Sequence, residues 1–191
     1  SLLVDDAHAT GIFGPHRGSG LAEELGIERD CAAIVSTFGK ALGGFGAFVA
    51  GSRVLVDWLI NRSRPFIFTT ATPPLLLAMM EAGIELCAEA APRTRVHSLA
   101  DRLRNSLADG GIDCSSSSGP IVPIVVGDNE AALEAARALQ ERGLDVRAVR
   151  PPTVAPGSSR LRISVHADHA EAEIDRLAAA LLEILEREAA G

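Results

Sequence analysis

Short apolar runs bounded by glycine, proline and acidic residues mark the first part of the chain. Such runs cover residues 2–4, 31–35 and 45–50, and each is too short for an amphipathic helix. We therefore predict a β-strand at each of them, and a β-prone run at 66–70, before a Thr-Pro-Pro sequence, predicts a fourth. The first run stops at two aspartates, the pattern of a fully buried parallel strand that ends where open α/β sheets bind their ligands.

Helical spacing of apolar residues dominates the rest of the chain, with Gly and Pro at the predicted boundaries. Asp168 and Glu171 form the pattern of a capping box for the last helix. The predicted elements are helices at 21–25, 52–62, 74–90, 96–107 and 130–142, strands at 121–126, 145–149 and 161–166, and a last helix that includes 174–185.

This change of pattern divides the chain into two predicted units of an α/β protein. Residues 1–90 are strand-rich with glycine-laden loops, and residues 91–191 form a compact α+β unit. The first strand starts at once, with no initiator Met before it. We therefore expect the chain to be the C-terminal part of a longer protein, or a truncated product.

The composition narrows the partners and the compartment. The 191 residues carry 25 acidic and 18 basic side chains, a formal charge of −7, which argues against nucleic acid or an anionic membrane as a partner. No apolar run approaches the roughly eighteen residues of a membrane-spanning helix. Cys31, Cys87 and Cys114 are widely spaced and odd in number, which favours reduced thiols and a cytoplasmic location over a disulfide framework or a zinc site.

Lys40 is the only lysine in the sequence, and it follows the 31–35 run in a turn rich in Gly, Ser and Thr. Two interpretations are open on spacing alone: a surface turn whose lysine points to solvent, or a lysine nucleophile. A nucleophilic lysine must lose its proton, so burial or a positive neighbour has to lower its pKa from the free value of about 10.4.

Three other polar residues make the lysine part of a candidate cofactor site. Asp5 and His8 follow the first strand, and Thr37 lies three residues before Lys40. A carboxylate can keep a heteroaromatic nitrogen protonated, and a hydroxyl with backbone N–H groups can bind a phosphate. With a reactive lysine, these groups describe a site for pyridoxal phosphate (PLP). Each residue alone also fits an ordinary structural role, and Asp5, Asp6 and His8 lack the further ligands that a metal ion needs.

Four motifs resemble those of one family of enzymes. Residues 4–11 (VDDAHATG) and 37–40 (TFGK) resemble the fold-type I PLP enzymes, above all the α-oxoamine synthases. Residues 126–129 (VGDN) and 150–163 (RPPTVAPGSSRLRI) are similar to the branch of that family that joins L-alanine to a pimeloyl thioester.

The resemblance implies both a fold and a reaction. The fold is the PLP-dependent transferase fold type I, with the C-terminal part of the large parallel-sheet domain in residues 1–90 and the small α+β C-terminal domain in 91–191. The reaction is a decarboxylative condensation in biotin biosynthesis, in which L-alanine takes the acyl group of pimeloyl-CoA or pimeloyl-ACP. A sibling enzyme that takes glycine or serine, and an inactive truncated fragment, remain as alternatives.

The same motifs imply roles for the residues around Lys40. Asp5 matches the aspartate that pairs with the pyridinium nitrogen, and His8 matches the catalytic histidine that hydrogen-bonds the phenolic oxygen. Thr37 matches the phosphate-binding hydroxyl. Lys40 matches the Schiff-base lysine, which later removes the α-proton of the amino acid.

Four further residues receive roles from the resemblance. Arg162 matches the arginine that holds the amino-acid carboxylate, a task that suits a bidentate guanidinium, although its alternation with apolar residues also fits the solvent side of a strand. Thr153 matches a threonine near the substrate. Thr69 and Thr70 fall in a segment that reaches the phosphate bound by the partner subunit, which implies a homodimer with a shared site.

The family's ring-stacking residue and much of its thioester site belong to an N-terminal half outside this sequence. Strands separated from their sheet leave unpaired edges and apolar surface. We therefore expect the 191 residues alone to be poorly soluble or inactive.

Overall fold

The structure of the protein is a computed structural model that describes residues 1–114 and 117–189. Its contacts divide the chain into two compact units, Ser1–Arg93 (unit 1) and Thr94–Gly191 (unit 2). Within the described ranges, no helix combines the length and the apolar character needed to cross a membrane.

Unit 1 is built on a three-stranded sheet in the order β1-β2-β3. β1 pairs with β2 in parallel, and β3 pairs with the other edge of β2 in the antiparallel sense. A short helix and a 3-10 turn lie between β1 and β2, and three further helices follow β3. The elements are β1 (Leu2–Asp5), α1 (Leu21–Glu24), a 3-10 turn (Glu28–Asp30), β2 (Cys31–Thr37), β3 (Ala47–Gly51), α2 (Arg53–Arg62), α3 (Arg64–Ile67) and α4 (Pro74–Cys87).

Unit 2 contains a second three-stranded sheet, in the order β4-β6-β5. Both of its strand pairs are antiparallel. α5 begins within unit 1 and continues into unit 2. Asp128 caps α6, because its Oδ1 accepts from the N–H groups of Glu130 and Ala131 at 2.8 and 3.0 Å. The elements are α5 (Ala90–Asp109), β4 (Ile121–Gly127), α6 (Asn129–Glu141), β5 (Arg147–Val149), β6 (Ser159–Ser164) and α7 (Glu171–Ala189).

Three local predictions are wrong, two of them because of the position of a proline. The strand expected at 66–70 is replaced at its start by α3, since Pro65 has a helical φ and is tolerated in a first turn. The helix predicted over 74–90 ends at Cys87, and Pro92 lies in the first turn of α5, where its missing N–H has no partner to lose. The capping pair of α7 is Ala170 N–H with Glu173 Oε2, at 2.8 Å, instead of Asp168 with Glu171.

The apolar core lies almost entirely in unit 2. The apolar side chains of its sheet and its helices pack against one another in one core. The buried apolar side chains of unit 1 are limited to three alanines and Phe38. Those of unit 2 include Val96, Leu99, Leu103, Leu107, Val122, Ile124, Leu139, Leu161, Ile163, Ile174, Leu177 and Leu181.

Most of the exposed large apolar side chains of the described chain lie in unit 1. Leu2 and Leu3 of β1 are 48% and 76% exposed, so the prediction of a fully buried strand is wrong for these residues, although the parallel pairing is correct. β1 and β3 each have one neighbouring strand and one open edge. The other exposed side chains include Phe45, Val54, Trp58, Phe66, Phe68, Leu75, Leu77 and Ile84.

The glycine-rich loop of residues 14–20 is held by the carboxylate of Glu23. The N–H groups of His16 and Arg17 donate to Oε1 at 3.1 and 2.9 Å, and the N–H and hydroxyl of Ser19 donate to Oε2 at 2.9 and 2.8 Å. Burial of Glu23 favours its neutral form, but these bonds outweigh burial and lower its pKa to about 2. The Arg17 side chain adds an ion pair, in which Nη2 donates to both carboxylate oxygens of Glu28 at 2.7 Å.

We predict that Glu23→Gln destabilises the full-length protein at pH 7 by about 2 kcal/mol, because charged acceptors form stronger hydrogen bonds than an amide. The pKa of Glu23 is about 2 in the folded state, below its ordinary value of 4.5. The stabilisation is therefore complete above pH 4.5 and declines as the pH falls towards 2. Denaturant unfolding at pH 7 and pH 3.5 should show a smaller difference at the lower pH. The control is Glu24→Gln, since the exposed Glu24 accepts one bond, from Gly14 N–H at 3.0 Å, within the part of the chain that the structure describes. An equal loss in both variants would contradict the prediction.

We also predict that residues 90–191 fold alone and unfold cooperatively, because nearly all buried apolar side chains of the described chain lie in unit 2. Leu103→Ala should lower the free energy of unfolding of this segment by about 2–5 kcal/mol. Residues 1–89 alone should instead bind a hydrophobic dye and show no sharp transition in circular dichroism. A non-cooperative transition of residues 90–191 would contradict this division.

Candidate active site

Two strand ends bring the predicted polar residues of unit 1 to one place. β1 and β2 are parallel neighbours, so their carboxyl ends lie at the same edge of the sheet. A cavity of about 350 Å³ opens at this edge, a volume within the range of small-molecule sites. Its lining residues are Asp5, Ala7, His8, Ala9, Phe13, Leu21 and Lys40. The structure thus places three of the predicted site residues, Asp5, His8 and Lys40, around one cavity.

Asp5 is fixed by the turn that follows β1. Its Oδ1 accepts from Ala7 N–H at 3.0 Å, the bond of an Asx turn. Nothing else in the described part of the chain donates to this carboxylate, so Oδ2 is available to a ligand. His8 lies on the same turn, which is closed by N–H donation from Ala9 and Thr10 to the carbonyl of Asp6, both at 2.9 Å.

Lys40 lies in the exposed turn that joins β2 to β3. Backbone bonds close this turn: Phe38 N–H donates to Gly46 O at 3.0 Å, and Gly44 N–H donates to Phe38 O at 2.7 Å. Gly46 has a φ of +89°, which an L side chain rarely adopts. Phe38 is buried and its ring lies 5.0 Å from that of Phe48, which anchors the base of the turn. The backbone of the lysine turn is therefore fixed while its side chain is open to a ligand.

The hydroxyl of Thr37 is used inside the lysine turn. It donates to Gly46 O at 2.8 Å and accepts from Gly39 N–H at 3.1 Å. A hydroxyl has one proton, so Thr37 must release Gly46 O before it can donate to a phosphate. Its predicted role in phosphate binding stays a prediction.

The other predicted residues lie outside this cavity. Thr69 and Thr70 are exposed in the segment between α3 and α4. Thr153 is exposed in unit 2, where its N–H donates to Arg150 O at 3.0 Å. Arg162 is exposed on β6. Their predicted contacts with phosphate and substrate stay predictions.

Sequence reasoning missed a buried polar cluster behind the cavity. Asp6 is 1% exposed, and its Oδ2 accepts from Ala22 N–H at 3.3 Å. Ser36 and Thr10 are also buried and bonded to each other. The alternation of side chains along a strand was the available signal: when Asp5 faces the ligand edge, Asp6 must face the interior.

Thiol and metal chemistry have no support at this site. Burial raises the pKa of the Cys87 thiol and of the Cys114 thiol, so both are poor nucleophiles at neutral pH. Among the residues that the structure describes, no group of three or more His, Cys, Asp or Glu side chains is placed to hold a metal ion.

Comparison with known proteins shows which sequences this chain is similar to. The 8-amino-7-oxononanoate synthase of Anaeromyxobacter dehalogenans (strain 2CP-C) is 50% identical over 185 residues, which are 96% of this chain and 46% of that protein. A putative 8-amino-7-oxononanoate synthase of Geobacillus kaustophilus is 48% identical over 176 residues, 91% of this chain and 45% of that protein. The chain spans about half the length of the curated relatives it matches. The resemblance to α-oxoamine synthases inferred from the motifs is confirmed at the level of sequence.

Solved structures give the same result for the fold. Serine palmitoyltransferase of Sphingomonas wittichii matches with a TM-score of 0.89 at 30% identity, over 95% of this chain and 46% of that one. The 8-amino-7-oxononanoate synthase of Francisella tularensis matches with a TM-score of 0.87 at 25% identity, over 98% of this chain and 55% of that one. A structure of SPT with a PLP internal aldimine also matches, with a TM-score of 0.89 at 32% identity over 95% and 46%. The predicted fold type I is confirmed.

The profile of one family, aminotransferase class I and II, matches residues 1–181, nearly the whole chain. Its extent covers both units, including the lysine turn and the strand that carries Arg162. The chain belongs to the aminotransferase class I and II family.

Proposed function

We propose that this chain is the C-terminal part of a PLP-dependent α-oxoamine synthase that condenses L-alanine with a pimeloyl thioester to form 8-amino-7-oxononanoate. The observation that carries the proposal is the cavity at the sheet edge, where Asp5, His8 and Lys40 meet. The names of the relatives support the biotin-pathway reaction. The chain spans about half the length of those relatives, and in this proposal the remainder of the site lies in a part of the whole protein outside this sequence.

The groups around the cavity fit PLP. The cofactor, when bound, supplies an electron sink that stabilises a carbanion on the amino acid. A cavity of about 350 Å³ holds one carboxylate with an available oxygen, one imidazole and one primary amine. A ring nitrogen, a phenolic oxygen and an aldehyde carbon need these three side chains as partners.

Each of the three side chains has a distinct task in this proposal. Asp5 accepts a hydrogen bond from the protonated ring nitrogen, and its negative charge keeps that proton in place. His8 donates to the phenolic oxygen. Lys40 would hold the cofactor, and its amine, when free and neutral, would take the proton from the α-carbon of alanine.

Arg162 binds the carboxylate of alanine in this proposal. It lies directly opposite Arg147 of β5, and the two line one cavity of about 600 Å³ in unit 2. Arg147 has a carboxylate partner in Asp145, at 2.8 Å, whereas Arg162 has no such ion pair in the described part of the chain. Like charges opposite each other on neighbouring strands are unfavourable, so an anion held by Arg162 relieves the repulsion.

The assembly in this proposal is a cytoplasmic homodimer. Thr69 and Thr70 lie in an exposed segment and would reach the phosphate of the cofactor bound by the partner subunit. The broad apolar exposure of unit 1 supports further coverage by other parts of the protein. Thr153 would lie near the substrate with Arg162.

A sibling reaction is the second candidate. Serine palmitoyltransferase structures match this chain with TM-scores of 0.89, so the fold alone does not select alanine. Siblings that take glycine, such as 2-amino-3-ketobutyrate ligase or 5-aminolevulinate synthase, belong to the same group of enzymes. The lysine, aspartate and histidine of the candidate site therefore do not distinguish glycine from alanine. An inactive fragment is the remaining alternative, since residues 1–90 expose so much apolar surface.

We predict that the full-length protein with PLP shows a visible absorbance band that Lys40→Ala abolishes. Lys40→Arg is the matched variant, because it keeps a positive charge but forms no covalent bond with the cofactor. Both variants should lose the band, and activity should fall by at least about 10³-fold, since covalent attachment and the base are lost together. A full band in either variant would show that Lys40 does not hold the cofactor.

We predict that the full-length protein forms product from alanine and a pimeloyl thioester, with little from glycine or serine. Arg162→Lys should raise KM for alanine about 10- to 100-fold, the loss expected when a bidentate charged pair becomes a single contact. Arg160→Lys, on the same strand, is the control and should leave KM nearly unchanged. A preference for serine or glycine would replace the alanine reaction with that of a sibling.

A further inference from the structure

A buried pair of hydroxyls connects the two turns that carry the candidate site. Ser36 is 1% exposed and Thr10 is 8% exposed. The Ser36 hydroxyl donates to Thr10 Oγ1 at 2.7 Å, a strong contact for two neutral groups. Ser36 belongs to β2, just before the lysine turn, and Thr10 ends the turn that carries His8.

The proton of each hydroxyl can be followed to its acceptor. Ser36 donates to Thr10, and Thr10 then donates to the carbonyl of Asp6 or that of Ser19, both at 3.2 Å. Asp6 O is also 3.4 Å from Ser36 Oγ and accepts from the N–H groups of Ala9 and Thr10. One carbonyl therefore gathers donors from both turns. The chain of bonds runs from β2 through Thr10 to the backbone between Asp5 and His8.

The position of this chain of bonds in the sheet gives it a task. The last backbone bond between β1 and β2 at this edge is Asp6 N–H to Val35 O, at 2.8 Å. Ser36 follows Val35, so the hydroxyl pair joins the two turns one residue beyond this backbone bond. Burying a hydroxyl costs free energy unless it is hydrogen-bonded, and a small apolar side chain would fill the same space without that cost. Core packing alone therefore does not explain two hydroxyls here. Neither Ser36 nor Thr10 lines the 350 Å³ cavity, so a direct contact with a ligand there does not explain them.

We propose that Ser36 and Thr10 are positioning residues that set the lysine turn relative to the Asp5–His8 turn. The proposal rests on the function proposed above. Through this pair, Lys40 and the partners of the cofactor ring keep a fixed separation, on which the orientation of the bound cofactor depends. Reacting groups displaced by about 1 Å can lose about 100-fold in rate, so a small shift of one turn is sufficient to slow the reaction.

The test uses the full-length protein and variants that remove or restore one hydroxyl. Thr10→Val and Ser36→Ala remove the two groups, and Thr10→Ser and Ser36→Thr keep them. The control is Ser159→Ala in unit 2, which removes an equally buried hydroxyl bonded to Asn129 Oδ1 at 2.6 Å. The measurements are the melting temperature, the pH midpoint of the cofactor's visible absorbance, kcat, and amide hydrogen exchange of residues 38–46 in the cofactor-free protein.

We expect Thr10→Val and Ser36→Ala to lower kcat about 10-fold and to move the pH midpoint by about half a unit or more. Exchange in the lysine turn should become faster. All three variants should lower the melting temperature by similar amounts. Ser159→Ala should nevertheless leave the pH midpoint and the exchange of residues 38–46 unchanged. Thr10→Ser, which keeps the hydroxyl, should keep kcat, the pH midpoint and the exchange rate near their wild-type values.

Two results separate this proposal from the proposed function. If the wild type shows no cofactor band, the function is wrong, and faster exchange in Thr10→Val still supports the positioning role. If Thr10→Val and Ser36→Ala lose only melting temperature, like Ser159→Ala, the hydroxyl pair is purely structural and the proposal is overturned. If Thr10→Val does not fold, Ser36→Ala provides the same comparison.

Discussion

The parallel pairing of β1 with β2 is the constraint on which the candidate site depends. Its register sets Asp5 opposite Val35, so the strands end together and their following turns leave from one edge. A parallel pair needs a long crossover, and residues 6–30 provide it with His8, Thr10 and the loop anchored by Glu23. The alternation along β2 then turns Ser36 inward and leaves Thr37 to the lysine turn. A slip of one residue would exchange these two roles.

The two units obtain their stability in different ways. Unit 2 closes a complete core between its antiparallel sheet and its helices, with side chains such as Leu103, Leu161 and Leu181 wholly buried. Unit 1 holds its functional edge by hydrogen bonds: the carboxylate of Glu23, the carbonyl of Asp6 and the closed lysine turn. Its large apolar side chains are mostly exposed, so hydrogen bonds do more than an apolar core to fix the candidate site.

Apolar patterning predicted most elements because their cores and caps are encoded locally. The strand before Lys40, the helix capped by Asp128 and the β-α-β-β-α order of unit 2 all follow from neighbours in sequence. The predictions that were wrong depend on particular backbone positions, as at Pro65 and Pro92, where proline begins a helix that its apolar neighbours do not reveal. Asp5, His8 and Lys40 were predicted because their residue types limit the chemistry; the structure places them around one cavity, and their roles stay predictions. Ser36 and Thr10 were missed because a buried hydroxyl has no sequence pattern of its own, whereas the alternation of side chains after Asp5 was a signal for the buried Asp6.

Covalent attachment of the cofactor tests the central claim most directly. Borohydride reduction of the full-length protein with PLP would make the bond between lysine and cofactor permanent, and mass spectrometry of its peptides would locate the modified residue. The account predicts one pyridoxyl group, on the peptide that contains Lys40. A pyridoxyl group on any other lysine of the whole protein, or none at all, would contradict it.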